Sequence, residues 1–163
     1  MINLRIGFGL DIHKLENDHD FWLGGIKIPH SKGATGHSDA DVLIHAICDA
    51  LLGAANLDDI GTHFPDNSDE YKDIDSKILL KKVVDLLNAN GFSIINIDTT
   101  IVLQNPKISQ FFPEMKTILA ETMAVSQSHI SIKATTTEKL GYEGREEGIS
   151  AYAITLIQKN IHD

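Results

Sequence analysis

The sequence is poor in cysteine and in basic residues, and it contains no long apolar run. Cys48 is the only cysteine among 163 residues. No disulfide can therefore form within the chain, and the apolar, helix-like run around Cys48 indicates a small core residue rather than a nucleophile. No window approaches the ~18 apolar residues that a membrane-spanning helix needs. Residues 1–5 lack the basic and apolar regions of a signal peptide, so we expect a cytoplasmic protein without membrane contact.

The scarcity of basic residues bears on the class of partner. Lys and Arg number 14 against 23 Asp and Glu, a formal charge of −9, whereas nucleic-acid binding normally needs a basic face. We therefore expect no nucleic-acid partner. An acidic chain can still bind an anionic ligand if metal ions supply positive charge locally, and the eight histidines direct attention to metal-ligand spacing.

Strand-like and helix-like patterns alternate along the chain, which predicts an α/β (α+β) fold in one domain spanning residues 1–163. Alternating apolar residues predict a strand over 4–13, and Gly24-Gly25 predicts a hairpin over 21–28. A helix is predicted over 38–55, begun by a capping box of Ser38 and Asp41. The remaining predictions are helices over 75–89 and 109–125, strands over 94–104, 130–137 and 148–158, and a mobile loop over 138–147.

Asp11 and His13 are the first candidate metal ligands. They lie two residues apart on the predicted strand, so their side chains leave the same face. Gly7 and Gly9 share that face and would leave room for a ligand. The alternative is a polar strand end that faces solvent.

His45, on the predicted helix, has Asp41 and Asp49 four residues before and after it. Carboxylates so placed could orient its ring, although a solvated polar helix face has the same pattern. Together with Asp11 and His13 it would complete a set of three protein ligands. Three ligands leave one zinc position open, as a catalytic site requires.

Three further segments offer weaker signals. His37-Ser38, at the start of the predicted helix, could bind phosphate, or Ser38 could serve only as its N-cap. The threonines of 133–139 favour a strand and could also hold phosphate oxygens and a hard metal ion. Asp59 lies in a turn-rich segment and could bind a polyol hydroxyl.

Taken in order, these motifs resemble the cyclodiphosphate synthase family nearly from end to end. The matching segments are Asp11-Ile12-His13, residues 23–29, His37 to Val42 with His45, residues 49–55, Asp59-Ile60-Gly61, Phe64-Pro65-Asp66, Asp75-Ser76, Gln104 with Pro106-Lys107, residues 134–141, and Arg145 with Glu147-Gly148-Ile149. No motif is decisive alone, but the collinear series is highly specific.

The resemblance implies that the chain cyclises 4-CDP-2-C-methyl-D-erythritol 2-phosphate to the 2,4-cyclodiphosphate and releases CMP, on a sheet covered by helices on one side. Asp11, His13 and His45 would hold one Zn²⁺ per subunit, and Glu138 a second ion, Mg²⁺ or Mn²⁺. His37 and Thr136 would steady the transition state. The other implied substrate contacts are Asp11, His13, Ser38, Asp59, Ile60, Gly61, Phe64, Pro65, Asp66, Asn67, Ser68, Leu103, Gln104, Asn105, Pro106, Lys107, Ile108, Ser109, Ala134, Thr135, Thr137, Tyr142 and Arg145.

The resemblance also implies a homotrimer with active sites at subunit interfaces. Three positions depart from the commonest pattern: Tyr142 replaces phenylalanine, Glu146 replaces glycine, and Tyr152 stands near the trimer axis where some members have glutamate. Two other functions would also be compatible with the predicted metal-ligand set. A metal-dependent phosphohydrolase would yield a linear phosphate instead of a ring, and a structural zinc module would normally need a fourth protein ligand.

Overall fold

A computed structural model of the chain describes residues 3–65 and 71–160. Its strands are β1 (Leu4–Asn17), β2 (Trp22–Leu23), β3 (Ile26–Lys27), β4 (Lys32–Thr35), β5 (Phe92–Val102), β6 (Ile130–Thr135) and β7 (Gly148–Lys159). Its helices are α1 (Val42–Ala55), α2 (Ile60–His63), α3 (Ser76–Ala89), α4 (Phe112–Met123) and α5 (Gly141–Gly144). The chain is one mixed α/β domain, as the alternating pattern predicted. None of the helices in the described ranges is both long and apolar enough to cross a bilayer.

Five strands form the main sheet, in the order β4-β1-β7-β5-β6. β7 is antiparallel to both β1 and β5, and β6 joins β5 in parallel. β1 is longer than the predicted strand over 4–13, because Lys14 to Asn17 continue it by pairing with β4. β2 and β3 form the predicted hairpin around Gly24-Gly25.

Helix α1 lies across β1 at the two glycines of that strand. A Cβ on Gly7 would stand 1.8 Å from the Ala50 carbonyl oxygen, and one on Gly9 would stand 2.0 Å from that of Ala46. The expectation that these glycines leave room for a ligand is wrong, since the helix backbone fills that space. Glycine at these positions brings α1 close enough for its side chains to meet those of β1.

The opposite face of β1 is apolar and exposed. Ile6 is 74% and Phe8 is 60% accessible, and Leu4, Leu10, Ile12 and, from β7, Ile154 are exposed as well. The helices therefore cover one face of the sheet, as predicted. Scattered exposed apolar residues are ordinary, but a contiguous stripe along two paired strands marks an interaction surface.

The first helix begins later than predicted and has a different cap. Asp41 is its N-cap and accepts a hydrogen bond from the Ile44 amide at 3.0 Å. Its fully buried carboxylate also accepts from the amides of Gly24 (3.0 Å) and Gly25 (2.7 Å), which joins the hairpin to α1. Burial raises the pKa of Asp41, and these hydrogen bonds oppose the rise. The capping box headed by Ser38 is therefore wrong.

The other elements agree with the predictions to within a few residues. Asp75 caps α3 by accepting from the Lys77 amide, and β5 begins and ends two residues earlier than predicted. A short 3₁₀ turn over Ser109–Phe111 precedes α4. The predicted loop over 138–147 contains α5, where buried Glu143 accepts a hydrogen bond from the Ser150 hydroxyl at 2.9 Å. Cys48 is fully buried in α1, as expected of a core residue.

Candidate metal centre and substrate cleft

The side chains of Asp11, His13 and His45 converge between β1 and α1. The Asp11 Oδ2 atom lies 3.0 Å from His13 Nε2 and 2.9 Å from His45 Nδ1, and the two ring nitrogens lie 3.1 Å apart. Within residues 3–65 and 71–160 this is the one group of three or more His, Cys, Asp or Glu side chains placed to hold a metal ion. The predicted ligand set is therefore assembled within one chain.

The geometry of this group fits a small tetrahedral ion. Zinc bonds to nitrogen and oxygen of ~2.0–2.2 Å place two tetrahedral ligands about 3.3–3.6 Å apart, a few tenths of an ångström wider than the separations here. The three donor atoms already form a nearly equilateral triangle with edges of 2.9–3.1 Å. One carboxylate and two imidazoles are also the donor types that zinc prefers.

The charges of the group are strongly coupled. Burial opposes ionisation of Asp11, but hydrogen bonds from His13 and His45 outweigh it and hold the pKa of Asp11 well below its usual range. Burial likewise opposes protonation of His45, yet the hydrogen bond and charge of Asp11 raise the pKa of His45 above its ordinary value. The Asp11 carboxylate thus favours a positive charge at this position, which is the charge that a metal ion would supply.

The outer nitrogens of both rings are also hydrogen-bonded. His13 Nδ1 lies 3.1 Å from the Thr35 carbonyl oxygen, so it carries a proton and leaves Nε2 free for a metal. His45 Nε2 lies 3.0 Å from Ser76 Oγ and 3.1 Å from Ser38 Oγ. The prediction that Asp41 and Asp49 orient His45 is wrong, because Asp41 caps α1 and Asp49 accepts from the Ile60 amide.

A cavity of about 380 Å³ opens beside the metal-ligand group. It brings together the predicted residues His13, His37, Ser38, His45, Ile60, Gly61, Phe64 and Pro65. Asp59 caps α2, accepting from the amide and hydroxyl of Thr62. Asp66, Asn67 and Ser68 lie outside the described residues.

Sequence reasoning missed part of the wall of this cavity. Tyr71, Ile74 and Leu79 line it too. Leu79 belongs to the apolar side of α3, and apolar spacing along a helix does not distinguish a core residue from a residue of a cavity wall. Tyr71 has no signal of its own, and reaches the cavity because the Asp73 amide donates to the His37 carbonyl oxygen at 2.8 Å.

A second cavity, of about 190 Å³, collects most of the residues predicted for cytidine and phosphate. Its lining is Leu103, Gln104, Pro106, Lys107, Ile108, Ser109, Ala134, Thr135 and Thr136. Asn105 is turned elsewhere and donates to the Glu146 side chain at 2.6 Å. Thr137 donates to the Leu140 carbonyl oxygen.

The two cavities lie apart within the chain. Asp11, Ala151, Ile101 and Ala134 form one row across β1, β7, β5 and β6, so Asp11 and Ala134 are three strand spacings apart, about 14 Å. The two predicted catalytic residues, His37 and Thr136, accordingly line different cavities. One chain does not bring them together.

The remaining predicted residues lie around the second cavity and the following loop. Glu138 is exposed and accepts a hydrogen bond from the Thr136 hydroxyl at 2.9 Å. Arg145 forms an ion pair with Glu147 at 2.9 Å. The Tyr142 hydroxyl lies 2.6 Å from Ser150 Oγ, so the ring is held toward β7.

Comparison with known proteins gives one consistent result. The model of the YgbB family matches residues 4–158. The chain is 61% identical to a 2-C-methyl-D-erythritol 2,4-cyclodiphosphate synthase of Bacteroides fragilis, covering 97% of this chain and 99% of that protein. It is 59% identical to the synthase of Porphyromonas gingivalis, with 94% of each chain covered.

Solved structures agree. The bifunctional IspDF of Campylobacter jejuni is 38% identical, with a TM-score of 0.94, and the match covers 98% of this chain and 43% of that larger protein. Plasmodium falciparum IspF in its CDP complex is 34% identical, with a TM-score of 0.85 and 98% of both chains covered. Fold and family therefore rest on independent matches along nearly the whole chain.

Proposed function

The chain belongs to the YgbB family of 2-C-methyl-D-erythritol 2,4-cyclodiphosphate synthases, and from that premise we propose how its residues carry out the ring closure. The enzyme cyclises 4-CDP-2-C-methyl-D-erythritol 2-phosphate in the non-mevalonate route to isoprenoid precursors, and CMP leaves. An oxygen of the 2-phosphate attacks the β-phosphorus of the CDP group, and the bond from that phosphorus to the CMP oxygen breaks.

The nucleophile needs little activation. A phosphate monoester has a second pKa of ≈6, so its oxygens are mostly ionised near pH 7 without a strong general base. The obstacles are the repulsion between anionic groups and the entropy of bending the substrate into a ring. Holding both ends of one molecule in position can contribute on the order of 7–11 kcal/mol.

We propose that Asp11, His13 and His45 hold one Zn²⁺ per subunit. The observation that carries this proposal is the triangle of donor atoms, all within 3.1 Å of one another, beside the cavity that His37 lines. A zinc ion bound there would act as a Lewis acid toward phosphoryl oxygens. Glu138 would hold a second divalent ion, Mg²⁺ or Mn²⁺, which would neutralise negative charge on the phosphates.

Polar residues in the two cavities, and Asp59 beside Ile60 of the first cavity, take the proposed substrate roles. Asp59 would accept hydrogen bonds from the methylerythritol hydroxyls, with Ile60 and Gly61 at the cavity wall. His37 and the Thr136 hydroxyl would donate to oxygens that gain charge in the transition state. Lys107 and Thr135, which line the second cavity, would hold the cytidine and its phosphates.

Two observations support a homotrimer with shared sites. The exposed stripe of β1, with Ile6 and Phe8 at its centre, is an apolar surface suited to a copy of the same chain. The ~14 Å between Asp11 and Ala134 in one chain suits a site in which one subunit supplies the metal centre and its neighbour the cytidine cavity. In this arrangement each subunit interface would contain one complete active site, and we propose a cytoplasmic enzyme.

The test combines product analysis with metal removal. Phosphorus NMR of the reaction should show CMP and the cyclic diphosphate in equal amounts, and protein stripped with a chelator should regain activity on addition of zinc. A linear phosphate product would instead indicate the phosphohydrolase alternative, which the named relatives do not favour. Full activity in zinc-free protein would refute the zinc assignment and leave the family assignment intact.

A further inference from the structure

We propose that Asp39, acting through the Ser76 hydroxyl, is a positioning residue that fixes the His45 ring for metal binding. This inference rests on the proposed metal centre. Asp39 does not touch the ligand group. Its Oδ1 accepts a hydrogen bond from Ser76 Oγ, and Ser76 Oγ lies 3.0 Å from His45 Nε2. The three side chains thus form a continuous chain of hydrogen bonds that ends on a metal ligand.

The number of protons available determines which atom donates and which accepts in each of these hydrogen bonds. A serine hydroxyl has one proton, and that of Ser76 is donated to the Asp39 carboxylate. Ser76 Oγ can therefore only accept from His45 Nε2, which favours a proton on that nitrogen. Ser38 Oγ, 3.1 Å from the same nitrogen, offers a second acceptor. With the ring proton on Nε2, the Nδ1 lone pair would be available to a metal ion held beside Asp11 and His13.

Asp39 is itself held by several donors. Its Oδ2 accepts from the Ser76 amide at 3.0 Å, at the first residue of the 14-residue helix α3, and its Oδ1 accepts from the Asp41 amide at 3.2 Å. The Asp39 amide donates to the Ile74 carbonyl oxygen at 3.1 Å. The carboxylate is therefore fixed in place by α3 and by the segment that precedes it, so the orientation of His45 depends on where α3 begins.

Asp39→Asn is the informative variant because it can exchange donor and acceptor in both hydrogen bonds of Ser76 Oγ. An asparagine amide group facing Ser76 donates where the carboxylate accepted, and the Ser76 hydroxyl would then donate to His45 Nε2. That arrangement places the ring proton on Nδ1, in the space that the metal needs. Ser76→Ala removes the acceptor without reversing it. We expect the zinc Kd to weaken by about 10–100-fold in both variants, the usual effect of losing a partner behind a metal-bound histidine.

The measurement is zinc affinity of the full-length protein by competition with a chromophoric chelator. Asp75→Asn is the matched control, because Asp75 lies on the same turn and caps α3 through the Lys77 amide without contacting His45. Its zinc Kd should stay within about twofold of the parent. Nitrogen-15 NMR of the zinc-loaded parent should in addition show the His45 proton on Nε2.

The outcomes separate this inference from the proposed function. Parent-like zinc affinity in both Asp39→Asn and Ser76→Ala would overturn the positioning role alone. A His45 proton found on Nδ1 in the zinc-loaded parent would overturn the ligand role of His45 as well. A parent that binds no zinc would overturn the metal centre and this inference together. If one of the two variants fails to fold, the zinc affinity of the other decides the question.

Discussion

His45 reaches the ligand group from α1, whereas Asp11 and His13 both come from β1. Replacing His45 therefore removes the ligand that α1 supplies and leaves the two ligands of β1. We expect His45→Ala to lose bound zinc and to release CMP at least 100-fold more slowly, since metal ions supply several kcal/mol of stabilisation to a charged transition state and each ~1.4 kcal/mol is tenfold in rate. Metal analysis by mass spectrometry and the CMP assay measure both effects.

The control for His45→Ala is His129→Ala, which removes an exposed imidazole remote from the ligand group. It should keep parent values of zinc content and activity. Circular dichroism and sedimentation should show that His45→Ala remains folded and associated. A variant that unfolds on losing zinc would instead assign the metal a structural role.

Glu138 is expected to act on the second divalent ion alone. Glu138→Gln keeps the shape of the side chain and removes its charge, so zinc content should be unchanged while half-saturation by Mg²⁺ or Mn²⁺ rises about tenfold, roughly 1.4 kcal/mol of lost attraction. Metal titration of CMP release measures the shift. Glu114→Gln, an exposed carboxylate in the first turn of α4, is the control. Coincident titration curves for Glu138→Gln and the parent would exclude Glu138 as a ligand.

Single residues differ in how far the sequence alone can identify them. Asp11 and His13 could be paired from their spacing, because a strand has a fixed period of two. His45 could be proposed as the third metal ligand only because it completed a three-ligand set with Asp11 and His13. Asp39 and Ser76 stand 37 positions apart, and their hydrogen bond depends on where α3 begins relative to the 37–39 segment. No local pattern contains that information, and the structure supplies it.

Among the elements, the contact of α1 with β1 is the one most sensitive to a single methyl group. We expect Gly9→Ala to destabilise the protein by about 3 kcal/mol or more, because the new Cβ would stand 2.0 Å from the Ala46 carbonyl oxygen and the helix backbone must move away. The same movement separates His45 from His13, so zinc affinity should fall as well. Urea denaturation and chelator competition measure the two effects.

Gly53→Ala is the matched control for this substitution. Gly53 lies in α1, and nothing stands within 4 Å of a Cβ built on it. Alanine is the better helix former by roughly 0.5–1 kcal/mol, so this variant should be slightly more stable than the parent. Equal stability of the two alanine variants would contradict the close approach of α1 to β1 at Gly9.

The predictions of secondary structure were most accurate where the apolar periodicity is strong. They were least accurate where contacts with other elements determine which face is buried or which residue caps a helix. Alternation over residues 4–13 identified β1, but it could not say that the polar, glycine-bearing face lies against α1 while Ile6 and Phe8 face outward. A capping pattern is similarly local. Ser38 and Asp41 both suit an N-cap, and Asp41 takes the role because it also accepts from the Gly24 and Gly25 amides.

At the scale of the whole molecule, the shared-site proposal predicts complementation. Asp59→Ala and Thr136→Val each remove one proposed substrate contact, and each variant alone should be inactive. If Asp59 and Thr136 meet across a subunit interface, mixed trimers contain some sites with neither substitution. Co-refolding the two inactive proteins should then restore a minority of the parent activity, measured by the CMP assay.

The composition of the mixed protein must be established before that result is interpreted. Differently tagged chains purified through both tags ensure that only mixed oligomers are assayed, and Asp59→Ala refolded with itself gives the background. Activity no higher than this background in confirmed mixed trimers would place both residues in one chain's site. The metal-ligand group of Asp11, His13 and His45 would be unaffected by that outcome.

Cys48, three residues after His45 in α1, makes the chain suited to thiol-labelling kinetics. The thiol is fully buried, and burial together with nearby Asp49 and Asp41 raises its pKa well above the ordinary value, so a maleimide or disulfide reagent should react only when α1 opens. Because it is the only cysteine, the labelling rate reports this single event without any substitution. A metal ion held between β1 and α1 should slow that opening in proportion to its occupancy. The labelling rate of the native Cys48 thiol would then measure how often α1 separates from the sheet.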